Sequence, residues 1–334
     1  MDDLKAGIIG LRMGWSHAGA IAGIAGARVV SVCDIDEARL AAAAKEFCAE
    51  QAETDFRRVV ENPALDVIVV ATPDHFHCEH TAAALEAGKH VLCEKPMAPG
   101  IDECRRMVEA GKRAGRKLMI GHLVRFTPIF QVLKRMRDEG EFGEVYYVGT
   151  EYQHDYSKVG GAWRFDPRVG RHVYLGGGCH AVDLMRFFLG EVTEVMAMGN
   201  HFSVPQMPND DCVMAVYRTA AGHIGKVFVA GGAKRPYGIT LAVYGTRGSA
   251  LASNVSPEAQ IWLSRFEEAR ERWMTIPAGV ESHPVRTQME HFLSCIRDDL
   301  EPLINGEDGM RTVAAAIAAV ESASSAQLVE IKNG

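Results

Sequence analysis

Over the first 122 residues, short runs of β-branched residues alternate with stretches of helical period, and no other feature of this sequence constrains the fold as much. The runs at 4–9, 28–33, 66–71, 90–93 and 117–120 read as strands; the stretches at 18–24, 37–49, 77–87 and 102–114 read as helices. Strands joined through helices need crossover connections, so they lie parallel in one doubly wound sheet with helices on both faces. Ile8-Ile9 and Val67-Ile68-Val69-Val70 are apolar at consecutive positions, as strands covered from both sides must be.

After Phe126 the texture changes. Strand-like segments at 144–153, 192–199, 212–218, 223–229, 239–244 and 259–264 follow one another with one short amphipathic helix, 184–189, among them, which predicts a large open, mainly antiparallel sheet. Helices at 285–298 and 309–324 close the chain. The fold class is α/β, with a doubly wound domain over 1–122 and an α+β domain over 123–334. No Pro/Gly/Ser linker separates them, so the halves are expected to pack together and share a cleft.

Charge and cysteine usage exclude several partners. The net charge of −7, from 36 Lys and Arg against 43 Asp and Glu, carries no basic footprint for nucleic acid or an anionic membrane. The apolar stretch 313–320 is too short to span a bilayer, and the acidic start Met1-Asp2-Asp3 runs straight into a strand. Eight cysteines without a C-x-x-C pair read as buried thiols. A cytoplasmic location is expected. His75, His77, Cys78 and His80 crowd together, but no second ligand pair accompanies them, so no metal is expected.

Ligands of open parallel sheets bind beyond the carboxyl ends of the strands. The turn Gly10-Leu11-Arg12-Met13-Gly14 follows the first strand and opens a helix, where glycines let the main chain approach a pyrophosphate. It is a shortened G-x-G-x-x-G with Arg12 at the second glycine's place, and alone it also suits, less well, a plain strand-to-helix turn. Asp34 ends the second strand, 24 residues on. A carboxylate there accepts from adenosine ribose hydroxyls and repels a 2′-phosphate, which favours NAD over NADP; the Arg12 guanidinium argues the other way. Thr72-Pro73 with His77, and Glu94-Lys95-Pro96, end two further strands on the same crevice. In the second half, Gly176-Gly177-Gly178-Cys179 leads into His180 and Asp183, three apart on one helical face. That carboxylate can orient the imidazole or share its proton, and the pair also suits a purely structural role.

Taken together these residues resemble the Gfo/Idh/MocA oxidoreductases, the family of glucose-fructose oxidoreductase and inositol dehydrogenase. The likeness rests on the glycine loop with His17 behind it, Asp34, Thr72-Pro73 with His77, and the run A-L-E-A-G-K-H-V-L-C-E-K-P from Ala84 to Pro96. It continues through Gly121-His122 with Arg125-Phe126, Trp163-Arg164 and the glycine-rich run into His180 and Asp183, to about residue 250. The resemblance implies an N-terminal Rossmann domain that binds NAD, with NADP second. It also implies an α+β domain whose open sheet packs face to face into homodimers or homotetramers. The cofactor set becomes Gly10, Leu11, Arg12, Met13, Gly14, Asp34, Ile35, Ala71, Thr72, Pro73, His77, Glu94, Lys95, Pro96, His122 and Arg125. Family members use the lysine of E-K-P and the histidine of H-x-x-D beside the nicotinamide, here Lys95 and His180. Inositol-dehydrogenase-like members carry a further aspartate four residues before that histidine, where this chain has Gly176. Either Asp183 supplies the carboxylate, which makes it the third catalytic residue, or the relay is simpler.

The implied reaction moves a hydride between a secondary alcohol of a sugar, cyclitol or sugar acid and nicotinamide. A base must take the hydroxyl proton; His180 suits this role, with Lys95 polarising the oxygen. Glu151, His154, Trp163, Arg164, His172 and Tyr174 are polar and aromatic together, as a polyol wall requires, and join Lys95 and His180 as substrate residues. Two other readings remain: a redox-neutral NAD-dependent glycoside hydrolase or lyase, and an NAD-binding sensor without turnover.

Overall fold

The alternation of the first 122 residues gives β1 (Leu4–Ile9), α1 (Met13–Ala22), β2 (Ala27–Cys33), α2 (Glu37–Glu46), β3 (Gln51–Glu53) and α3 (Phe56–Val60). It continues with β4 (Val67–Val70), α4 (His77–Glu86), β5 (His90–Cys93), α5 (Ile101–Ala114) and β6 (Leu118–Ile120). The computed structural model describes residues 3–159, 161–167, 169, 171–264 and 273–332. The strands form one sheet in the order β3-β2-β1-β4-β5-β6, every pair parallel. Strand order reverses between β1 and β4, so the loops leaving those two strands flank the crevice where such sheets take ligands. Ile8 and all four residues of β4 are fully buried, each contributing roughly 1.5–3 kcal/mol by leaving water.

Three elements here differ from the sequence reading, which has no counterpart of the short helix α3. Helix α1 starts at Met13, not at 18, because its buried positions Gly14 and His17 carry no apolar signal. Strand β3, Gln-Ala-Glu at the sheet edge, is too short and polar to register as a strand.

The second unit contains α6 (Pro128–Asp138), β7 (Val145–Gln153), α7 (Val173–Gly176), α8 (Cys179–Leu189), β8 (Glu194–Asn200), β9 (Cys212–Arg218) and β10 (Ile224–Ala230). Then come β11 (Gly238–Gly245), β12 (Gly248–Ser253), β13 (Glu258–Leu263) and β14 (Met274–Pro277). The chain ends with α9 (Val285–Arg297), α10 (Gly306–Ser325) and β15 (Val329–Glu330). The nine-stranded sheet runs β14-β13-β12-β11-β7-β10-β9-β8-β15. It is mainly antiparallel, but β7 and β10 pair in parallel, so the sheet is mixed rather than antiparallel throughout. Helix α8 and strands β8 and β9 intervene in sequence and supply the length a parallel connection needs. Helix α8 lies on one face of the sheet: Thr150 donates its hydroxyl to the Ala181 carbonyl at 2.9 Å. A Cβ on Gly225 would stand 2.6 Å from the Met185 sulfur, so this glycine sets how closely the helix approaches β10.

The first unit is Met1–His122 with Val285–Met310, and the second is Leu123–Pro284 with Arg311–Gly334. Residues Val285–Met310, which the sequence reading grouped with 123–334, pack on the first unit. Arg286 donates to the Gly23 carbonyl at 3.0 Å, Arg297 to that of Gly26 at 2.7 Å, and the Ile120 N–H to that of Ile304 at 2.9 Å. Among the described residues no helix is long and apolar enough to cross a membrane. Six cysteines are buried thiols, whereas Cys48 is exposed and Cys212 half-buried.

Candidate functional site

In the first unit the site is built from main-chain geometry. Gly10 has φ +87°, and a Cβ there would stand 2.6 Å from the Ala71 carbonyl oxygen, so the loops after β1 and β4 touch only because it is glycine. Gly14 does the packing work of the third glycine: its Cβ would stand 2.7 Å from an Ile8 methyl, which brings α1 close onto β1. Arg12, at the missing second glycine, is exposed, and no side chain caps α1, leaving its first-turn N–H groups for an anion.

Asp34 is buried and accepts the Leu11 N–H at 2.7 Å and the Asp36 N–H at 2.9 Å. The carboxylate at the end of β2 therefore fixes the glycine loop. Arg39, one turn into α2, pairs with both Asp34 oxygens at 3.1 Å and with Asp36 at 2.8 Å. The Arg39 N–H bond to Asp36 is the first of the contacts that hold the Asp36 carboxyl below its usual value. Sequence reasoning missed Arg39, whose only local sign was its place five residues after Asp34. Ile35 stands exposed beside it.

The loops after β4 and β5 are pinned together. His77 lies 2.8 Å from the Thr72 carbonyl through Nε2 and 2.8 Å from the Pro96 carbonyl through Nδ1, so both ring nitrogens serve the main chain. Thr72 meets His80 at 3.1 Å, and burial first of all pushes His80 down to about 4. Lys95 is half-buried at the end of β5, and its bond to Pro96 is cis. Glu94 is buried and contacts His17 at 2.8 Å, while His122 is fully buried. Among the described residues no three His, Cys, Asp or Glu side chains gather as a metal site would need.

In the second unit several residues with the right chemistry are engaged elsewhere. His180 is buried on the first turn of α8. Asp183, buried one turn on, accepts two bonds from Arg125 at 2.7 and 2.8 Å and one from Thr312 at 3.1 Å. That geometry is an anchor. It engages Asp183, expected as a catalytic carboxylate, and Arg125, expected at the cofactor, in one buried ion pair on α8. Arg125 also lies 4.8 Å over the Phe187 ring.

Glu151 points away from α8: its neighbour Thr150 faces that helix, so the pleat turns Glu151 to the opposite face, where it pairs with Lys226 at 2.6 Å. There both line an open pocket of about 430 Å³ with Tyr147 and Gln260, so Glu151 does not join His180. Tyr174 is fully buried with its hydroxyl 2.9 Å from that of Tyr217, which donates to the Ala315 carbonyl at 3.1 Å; it is a core residue. His172 caps α7 by accepting the Tyr174 N–H at 3.1 Å, and burial pushes it down to about 4. His154 sits among Tyr152, Tyr156 and Tyr237, 3.0 Å from the Tyr152 hydroxyl. Two guanidinium groups, Arg164 at 4.7 Å and Arg171 at 5.0 Å, lie over the Trp163 ring.

Residues 4–122 match the family model described as an oxidoreductase family with an NAD-binding Rossmann fold, and residues 130–251 match the GFO/IDH/MocA C-terminal domain. The chain is 30% identical over 323 residues to 1,5-anhydro-D-fructose reductase of Ensifer adhaerens, covering 92% of each. The chain belongs to the GFO/IDH/MocA oxidoreductase family.

Other similar members are myo-inositol 2-dehydrogenase of Thermotoga maritima, 25% identical over 98% of this chain and 99% of that protein, and levoglucosan dehydrogenase in complex with NADH. The latter structure superposes with a TM-score of 0.92 at 27% identity over 99% of this chain and all of that one (100%). This GFO/IDH/MocA oxidoreductase departs from the inositol-dehydrogenase pattern at Gly176, and the guanidinium of Arg171 lies in the space beside that glycine. A Cβ on Gly176 would stand 2.5 Å from the Arg171 guanidinium carbon. The glycine was visible in the sequence, but the arginine beside it was not.

Proposed function

We propose that the protein is an NAD-dependent dehydrogenase, with NADP as second cofactor, acting on a secondary alcohol of a sugar, cyclitol or sugar acid. What carries the reading is the Gly10 turn locked by Asp34 through the Leu11 N–H at 2.7 Å, in a chain of this family. It is supported by relatives whose names are sugar and inositol oxidoreductases and by the similar levoglucosan dehydrogenase structures with NADH. When bound, nicotinamide supplies the hydride acceptor. The main chain at Gly10–Gly14, Asp34 with Ile35, and the Ala71–Pro73 and Glu94–Pro96 loops hold it. Lys95 polarises the reacting oxygen and His180 exchanges its proton. His154, Trp163, Arg164 and His172 form the substrate wall, with Arg171 added; guanidinium donors there suit hydroxyls and a sugar-acid carboxylate. Asp183 and Arg125 anchor α8. The first unit serves the cofactor, and the second serves the substrate and self-association of a cytoplasmic homo-oligomer.

The test is NADH absorbance when purified protein meets NAD or NADP with cyclitols, anhydrosugars, aldoses, sugar acids and glycosides. A signal with one polyol class establishes the dehydrogenase. Silence with NAD bound and a glycoside consumed favours the redox-neutral enzyme, and silence with NAD bound and nothing consumed favours the sensor.

A further inference from the structure

His17 and Glu94 form a buried side-chain pair that takes no part in the proton transfer proposed above. His17 stands on the second turn of α1, fully buried, with Nε2 2.8 Å from Oε1 of Glu94 at the end of β5. The other Glu94 oxygen accepts the main-chain N–H of Lys95 at 3.1 Å. Gly121 leaves room for this carboxylate: a Cβ there would stand 3.1 Å from the Glu94 Cα and 3.2 Å from its carboxyl carbon. Burial works to raise the Glu94 carboxyl, but the His17 hydrogen bond and the charges of His17 and Lys95 outweigh it and hold the group below its usual range.

Burying an imidazole and a carboxylate is costly, and an apolar pair of the same volume would join α1 to β5 as firmly or more so. The polar pair does what an apolar one cannot: it holds the Lys95 main chain from the helix that opens out of the glycine loop. We propose that His17 and Glu94 are positioning residues for Lys95, tying the lysine to the cofactor loop through α1. This rests on Lys95 being the lysine at the reacting oxygen.

The test compares His17→Leu, which keeps the volume, with His17→Gln, which keeps a donor. Lys95 is trapped with pyridoxal 5′-phosphate and borohydride and the modified peptide quantified by mass spectrometry; kcat and KM are measured with the polyol that gives NADH. His17→Leu is expected to melt below the wild type, because it leaves the buried Glu94 carboxylate without its partner, and to bind NAD normally. Its kcat is expected to fall about tenfold or more with little change in KM, since small misplacements of a reacting group are costly. The Lys95 trapping rate changes several-fold, and His17→Gln restores both. Should His17→Leu fold poorly because Glu94 is left alone, His17→Leu with Glu94→Met removes the lone charge and must still show the slow phenotype. Wild-type kcat and trapping in the Leu variant, or equal damage in Leu and Gln, overturns the proposal. A wild type that turns over no polyol refutes the functional reading, while the trapping rates still decide this inference.

Discussion

Both units offer conspicuous polar side chains to the reader of a sequence, yet they use them in opposite ways. In the first unit the candidate site is made by the main chain: a left-handed Gly10, a helix start at Met13 and a carboxylate that bonds the Leu11 N–H. In the second unit the conspicuous side chains hold one another, Asp183 to Arg125 and Tyr174 to Tyr217. A strand end and its glycine turn announce a site because backbone geometry restricts which residues fit. A polar side chain in a helix announces nothing until its partner is known.

The largest test of that contrast is Lys95→Ala beside His180→Ala. Each is expected to lower kcat by about 10²–10⁴-fold, the usual worth of a positioned acid–base group, with NAD affinity retained. Asp183→Asn, by contrast, is expected to act on stability; a pH-rate profile shifted without a stability change would make Asp183 part of the relay and break the contrast. Next is Arg125→Met, which strands a buried carboxylate and should cost about 3–5 kcal/mol by urea denaturation. Arg125→Met with Asp183→Leu should recover most of that loss. Gly10→Ala forces a left-handed alanine against the Ala71 carbonyl, a strain of roughly 1–3 kcal/mol, and should abolish NAD binding measured by fluorescence titration.

A smaller effect is shared by both units. His80 and His172 are held to about 4 from the ordinary 6.5, chiefly by burial, so both stay neutral in the fold. Between those values the unfolded chain binds protons that the folded chain refuses. Stability is therefore full above about pH 6.5 and falls as the pH drops toward 4. His172→Asn keeps the α7 cap and should flatten part of that fall in urea midpoints. The smallest is Tyr174→Phe, expected to cost about 1 kcal/mol for its buried hydrogen bond and to leave KM unchanged; a raised KM would return Tyr174 to the substrate wall.

Much of the architecture was legible. Consecutive apolar residues at Ile8-Ile9 and Val67–Val70 specified a parallel sheet, and the loops that follow carried the cofactor signature. What escaped had short or polar sequences: edge strand β3, the first turn of α1 around Gly14 and His17, and the parallel pairing of β7 with β10. At the candidate site, Gly10, Asp34 and Lys95 stood out because they follow strands. Arg39 and Arg171 did not, since neither belongs to a local pattern.

By itself, then, the sequence determined most of the longer elements and where the glycine turn falls, because hydrophobic period and permitted backbone angles are local properties. Only the tertiary structure decided that Glu151 faces away from α8, that Arg171 occupies the space beside Gly176, and that Asp183 answers to Arg125 and Thr312. The pleat of a strand and the partner of a buried charge are set by residues far away in the chain, and no local pattern carries them.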